Sequence, residues 1–191
     1  MAQRSSQRQK HIFCIEGDWV SDLRKDISIV SGLQLLQDIN GIKYTHRDAV
    51  TKDSLECLLK SYRQKIYSKY SICYLAFHGN PGEIYISKKA TVTLEELAAF
   101  FGDNCKNKII HFGSCLILDI HKKKIKTFLR KTNALCVCGF TKKVNFLPSS
   151  VFDLLLFEMF QENYDITTVY KKMKKYYGKV MKELGFQMVY L

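Results

Sequence analysis

From residue 11 onward, short apolar runs alternate with stretches in which apolar residues recur every three or four positions. The runs His11–Ile15, Ser71–Phe77, Lys108–Phe112 and Ala134–Cys138 are each followed by turn residues, among them Gly17, Gly79, Gly113 and Gly139. Apolar runs of this length predict strands buried on both faces, as in a parallel sheet. Ile42–Thr45 predicts a short second strand and Phe186–Leu191 a sixth. Between these runs the spacing is helical. Ile27, Val30, Leu33 and Leu36 precede Asn40-Gly41, and Leu55, Leu58, Leu59 and Tyr62 follow a Thr51 cap. Thr93-Leu94-Glu95-Glu96 is a capping box opening a helix to Phe101, after a small hairpin over Glu83–Ile86 and Ala90–Val92. Ile117, Ile120, Ile125, Phe128 and Leu129 predict a helix directly beyond Cys115. Ser150-Val151-Phe152-Asp153 predicts a further box, after a Gly139–Pro148 loop, with its helix reaching Phe160. Asp165 caps the last helix, whose stripe runs from Ile166 to Leu184 and stops at Gly185.

Strands and helices that alternate with short connections predict an α/β fold, a three-layer α/β/α sandwich around a mostly parallel six-stranded sheet. The 191 residues, 47% of them hydrophobic and only two of them proline, are expected to form a single domain over 11–191 behind a basic polar extension, 1–10. That extension has no apolar stretch of the kind a secretory leader carries, and no segment approaches the roughly 20 apolar residues of a membrane helix. The expectation is a cytoplasmic protein, not attached to membranes, with its seven cysteines as thiols. Cys14, Cys73, Cys136 and Cys138 fall inside strand-like runs and read as small buried hydrophobes. No spacing matches a metal site, so neither metal nor cofactor is expected.

Charge separates the two halves of the chain. Residues 1–103 hold 14 Lys+Arg against 12 Asp+Glu, whereas residues 104–191 hold 16 against 6. Such an excess is compatible with an anionic partner, including a nucleotide-like small-molecule activator, and equally with lysines on solvated helix faces.

The chemistry gathers at two strand ends. One finishes in His78-Gly79, the other in Gly113-Ser114-Cys115. Neighbouring parallel strands deliver their C-terminal ends to one edge, where active sites collect, so a histidine and a cysteine there form a candidate base–nucleophile pair. Gly79 frees the backbone after the histidine, and the N–H groups of Gly79 and Cys115 are the candidate oxyanion donors. A helix starting after Cys115 would place the thiol at a positive helix end. His111, alternating with apolar neighbours, reads as a core histidine and His121 as a surface one. His46-Arg47-Asp48 reads as a loop on the same sheet edge as His78.

A strand ending in His-Gly, then a hairpin, a helix and a strand ending in small-residue-Cys, resembles the layout of caspase-like cysteine peptidases. The separation of histidine and cysteine is more similar to the compact bacterial CHAT peptidases than to caspases. The segment Cys138-Gly139-Phe140-Thr141 with its following apolar helix is similar too, so the resemblance covers about residues 11–191. It implies the caspase-like fold, a peptidase acting on a protein or peptide substrate, His78 and Cys115 as catalytic residues, and Gly79 with Cys115 as the oxyanion hole. It also implies a substrate pocket built from Glu16 to Asp18, Ser114, and Phe140 with Thr141. An acid at Glu16 or Asp18 could pair with a basic substrate residue or equally be a solvated loop acid, and no arginine stands in these loops for an acidic one. Compact bacterial relatives serve as effectors of antiviral or cell-suicide systems, switched on by a partner or small signal. The chain has no Gln-Ala-Cys-Arg-Gly motif and no cleavable linker between subunits, so an external switch is expected. A non-enzymatic α/β module binding a nucleotide or nucleic acid through the basic half is the alternative. No Gly-rich phosphate loop or nucleic-acid-reading signature supports it. A degenerate peptidase kept as a scaffold is the third reading.

Overall fold

The two-residue repeat of side-chain direction along each strand is what divides the core into two halves. In the computed structural model, which describes residues 9–191 apart from 21, 23, 26, 88, 89 and 164, Phe13, Cys73, Leu75, Ile110, Phe112 and Val137 point to one face of the main sheet. Their neighbours Ile12, Cys14, Ile72, Tyr74, Ile109, Cys136 and Cys138 point to the other. Both faces are covered, which is why the strands read as continuous apolar runs.

The main sheet contains β1 (Ile12–Glu16), β2 (Tyr44–Asp48), β3 (Ile72–Ala76), β7 (Ile109–Phe112), β8 (Cys136–Phe140) and β9 (Phe186–Val189) in the order β2-β1-β3-β7-β8-β9. The first five are mutually parallel and β9 runs antiparallel at the edge. Helices α1 (Val30–Asn40), α5 (Phe146–Glu162) and α6 (Ile166–Leu184) cover the Cys14 face. Helices α2 (Lys52–Tyr62), α3 (Leu94–Phe101) and α4 (Lys122–Thr132) cover the Phe13 face. This is the expected three-layer α/β/α sandwich. Between β3 and α3 a separate antiparallel sheet forms from β4 (His78–Asn80), β5 (Glu83–Ser87) and β6 (Ala90–Thr93). No described helix is long and apolar enough to cross a membrane. Residues 1–8, most of the expected polar extension, lie outside the described residues.

Local capping chemistry is observed at three of the expected places. Thr51 and Thr93 each close a reciprocal capping box, with Ser54 and Glu96, and the Asp165 carboxylate accepts from the Thr168 N–H. Elsewhere tertiary packing moved the boundaries. α1 starts at Val30, leaving Ile27 outside it, and β2 runs through His46-Arg47-Asp48, so that segment is strand and not loop. α5 begins at Phe146, not at a Ser150 cap. Pro148 fits inside its first turn, where a missing N–H costs nothing. Asp153 is thereby released from capping and buried in the core. The segment after Cys115 forms turns and not a helix, since α4 opens only at Lys122.

Candidate active site

Three parallel strands end side by side at one edge, and each delivers a different group. The chain reverses its direction of travel across the sheet between β1 and β3, and a crevice at such a point is where ligands bind in open α/β sheets. β1 ends in Glu16 and leads to Trp19, β3 leads through Phe77 to His78, and β7 leads to Ser114-Cys115. Backbone bonds tie these ends together: Gly17 N–H donates to the Ala76 carbonyl and Gly113 N–H to the Leu75 carbonyl, each over 3.0 Å.

The strand ends that carry His78 and Cys115 touch at Gly79, while among the described residues no hydrogen bond joins the imidazole to the sulfur. A Cβ on Gly79 would stand 2.7 Å from the Cys115 carbonyl oxygen and 3.0 Å from Ser114 Cβ. Only a glycine permits the two strand ends to approach this closely, so Gly79 is needed for contact and not for a positive φ. Cys115 is half-buried and His78 is exposed. Among the described residues the Cys115 N–H makes no hydrogen bond, so it is available to a bound group. The next residue, Leu116, has a φ of 58°. A bulky side chain in that region costs on the order of 1–3 kcal/mol. The turn is held by Leu116 N–H and Leu118 N–H, which donate to the carbonyls of Lys142 and Phe140.

Each candidate group already has an orienting partner. His78 Nε2 lies 2.8 Å from the Trp19 carbonyl oxygen. A carbonyl only accepts, so Nε2 carries the proton and Nδ1 holds the lone pair. The Trp19 ring packs edge-on against both His78 and Phe146, and its Nε1–H donates to Glu16. Cys115 Sγ sits in a backbone notch, accepting from the Val144 N–H at 3.3 Å with the Val144 carbonyl at 3.5 Å. An N–H aimed at sulfur is a donor that a thiolate accepts. Such a donor stands where the sequence placed a helix terminus, and α4 is too far along the chain to provide one.

The expected pocket residues divide. Asp18 is exposed at the rim. Glu16 is buried, and its carboxylate accepts from Ser28 Oγ, Trp19 Nε1 and the Ile29 N–H and contacts His46 Nε2 at 2.7 Å. Burial would raise its pKa, but the hydrogen bonds from His46, Ser28, Trp19 and Ile29 outweigh burial and hold it below the ordinary carboxylate value. With both oxygens committed, Glu16 is an anchor for the β1 loop and not a free partner for a basic substrate. Phe140 is wholly inside the core, and Thr141 is spent on the Gly185 carbonyl, so neither forms an open pocket wall. Ser114 is fully buried and among the described residues its hydroxyl has no partner; it lies under the Gly79 contact and not beside a pocket. Sequence reasoning missed Trp19 and Val144. The lone tryptophan of the chain, three residues past a strand, was the available signal for the first; Val144 acts through its backbone and had none.

Glu16, His46 and Asp48 bring one potential ligand atom each within 4.8 Å of one another. Because Glu16 is saturated by donors, this is a hydrogen-bonded clasp and not an open metal centre.

A second polar cluster lies inside the sandwich. Tyr74 OH donates to Asp153 Oδ2 at 2.8 Å, and His111 Nε2 stands 2.7 Å from Asp153 Oδ1, off the line of a hydrogen bond. His111 Nδ1 is 3.2 Å from Cys138 Sγ. All four residues are buried. Burial drives the Tyr74 hydroxyl and the Cys14, Cys73 and Cys138 thiols well above their ordinary pKa values, and the Cys105 thiol to about 11. Of the seven cysteines only the exposed Cys57 and the half-buried Cys115 are open to reagents.

The model of one protein family matches residues 9–190, nearly the whole described chain, and that family is described as being of unknown function. None of the curated proteins matches the chain. The chain belongs to the family of unknown function DUF6642.

Proposed function

We propose that this protein is a cysteine endopeptidase with a His78–Cys115 dyad. The observation that carries the reading is the base–nucleophile edge itself. A histidine whose protonated nitrogen is fixed by a backbone carbonyl stands one residue from a glycine that packs on the backbone of a half-buried cysteine. An oriented base and a thiol on adjoining strand ends are the components that covalent acyl transfer requires.

In this mechanism His78 Nδ1 takes the Cys115 thiol proton, and the sulfur attacks the scissile carbonyl carbon. The N–H groups of Cys115 and Gly79 receive the developing oxyanion. The histidine then passes its proton to the leaving amine. Water, activated by the same imidazole, hydrolyses the thioester and regenerates the thiol. Trp19 has a positioning role: its carbonyl sets the tautomer, and its ring, pinned by Glu16 and Phe146, sets where that carbonyl lies. With Glu16 committed to this clasp, the proposed substrate has an apolar or basic residue before the scissile bond, met by Trp19, Val144 and the rim carboxylate of Asp18. The resemblance to compact bacterial peptidases supports a cytoplasmic effector of an antiviral or cell-suicide response, held inactive until a signal arrives.

The test is alkylation with a peptidyl chloromethylketone in a Cys57→Ser background, followed by mass spectrometry. Labelling confined to Cys115 and lost in His78→Ala supports the dyad. Labelling of Cys115 at the same rate without His78, or none at any substrate-like sequence while iodoacetamide reacts freely, rejects it.

A further inference from the structure

The strongest unexplained charge in the molecule lies on α4, away from the dyad. Its eleven residues include Lys122, Lys123, Lys124, Lys126, Arg130 and Lys131 and no acid. Among the described residues none of these six cations forms a salt bridge, although other lysines of the chain do. Three of them crowd the first turn, where the helix contributes positive charge of its own. Like charges so placed repel, and an anion relieves them.

Those lysines border a cavity. Between α3 and α4 lies a space of about 320 Å³ whose floor is Leu94, Ala98 and Phe128 and whose rim includes Lys123, Lys124 and Lys131. Glu95 is the one carboxylate on the rim, against three lysines, and His121 completes it at the head of α4. The volume falls at the lower end of the range for small-molecule sites, roughly 300–1,000 Å³. An apolar floor under converging ammonium groups matches a ligand with a flat apolar part and a phosphate part.

The cavity is also wired to the turn that follows Cys115. Leu94 opens α3, and its N–H donates to the Gly82 carbonyl; the Gly82 N–H donates in turn to the Ile117 carbonyl. On the other wall, His121 Nδ1 accepts from the Lys123 N–H and caps α4 at the end of the same turn. Both walls therefore bond to, or directly continue, the segment 116–121 that supports the nucleophile.

We propose that the α3–α4 cavity binds a nucleotide, base on the Leu94–Ala98–Phe128 floor and phosphates on Lys123, Lys124 and Lys131, and that binding sets the turn beyond Cys115. The binding stands by itself; its regulatory meaning rests on the peptidase reading.

Calorimetry on the full chain carrying Cys115→Ala, with ATP as the probe at about 0.1 M salt, tests the site independently of catalysis. One-to-one binding is expected. Lys123→Glu with Lys124→Glu weakens it at least about tenfold, and so does Thr127→Trp, which fills the cavity and keeps every charge. Inorganic triphosphate binds more weakly than ATP. Absence of ATP binding, binding unchanged in both variants, triphosphate as tight as ATP, or a hexaglutamate peptide tighter than ATP would each overturn the proposal. The regulatory half is read separately, as the Cys115 alkylation rate in the wild-type chain with and without ATP; an unchanged rate overturns it while leaving the binding result intact.

Discussion

Two histidines are each held through a carboxylate, one inside the sandwich and one at its rim, and they differ in every property that matters for chemistry. His111 sits mid-strand on β7, fully buried, in direct contact with Asp153 and stacked on Tyr74. His78 sits beyond the end of β3, exposed, and reaches its carboxylate only through an intermediary: Glu16 holds Trp19, and the Trp19 carbonyl holds the imidazole. The inner assembly is closed, with its groups surrounded by core aromatics. The outer one uses one ring nitrogen on the Trp19 carbonyl, and among the described residues its other nitrogen has no partner. A histidine enclosed by core groups secures architecture, whereas one oriented on a single nitrogen at a sheet edge keeps its ring open to solvent.

The sharpest way to separate the two is to remove each histidine's function in turn. His78→Ala is expected to lower turnover of a fluorogenic peptide about 10²–10⁴-fold. Its unfolding free energy in urea should stay within about 0.5 kcal/mol of wild type, as for other exposed side chains. A large loss of stability with activity retained would break the comparison. Asp153→Ala has the opposite signature. It strands the Tyr74 hydroxyl and His111 without their shared partner, for a loss of about 3 kcal/mol in urea unfolding. The fraction that remains folded should alkylate at Cys115 at the wild-type rate.

Smaller effects probe the outer chain of contacts. Trp19→Ala keeps the orienting carbonyl but frees its position, and a one-ångström misplacement costs up to about 10²-fold in rate. We expect about a tenfold fall in kcat with KM for a short peptide little changed, read from initial rates. The smallest effect is on pH dependence. Because the Glu16 pKa is lowered in the folded chain, its stabilising contribution is complete above the ordinary carboxylate range and is lost as pH falls through the folded value. Glu16→Gln should therefore flatten part of the acid limb of melting temperature against pH, from the ordinary carboxylate range downward. An acid limb identical to wild type would show that the carboxylate clasp adds nothing.

The sequence carried much of this in local form. The long strand runs, the Thr51, Thr93 and Asp165 caps and the glycines after β3 and β7 are set by chemistry within a few residues and stand at the expected places, while the second strand shifts to Tyr44–Asp48. Ser150-Val151-Phe152-Asp153 has the composition of a capping box, but Asp153 finds better partners in Tyr74 and His111, which come from strands distant in sequence. Glu16 read as a loop acid because its donors, from residues 19, 28, 29 and 46, assemble only when β2 pairs with β1. Phe140 reads as a loop residue beyond the fifth strand, but β8 continues through it and seats its ring in the core.

What the chain determined by itself was the α/β alternation, the two-sided burial of its strands, and the presence of His78, Gly79 and Cys115 at successive strand ends, since period and turn chemistry act over short range. Tertiary structure alone decided which atoms those residues meet: the Trp19 carbonyl for the imidazole, the Val144 backbone for the sulfur, and the Leu94 floor for the lysines of α4. Those pairings depend on strand order and on the packing of helices far apart in sequence, and backbone groups, identical in every residue, leave no trace in composition.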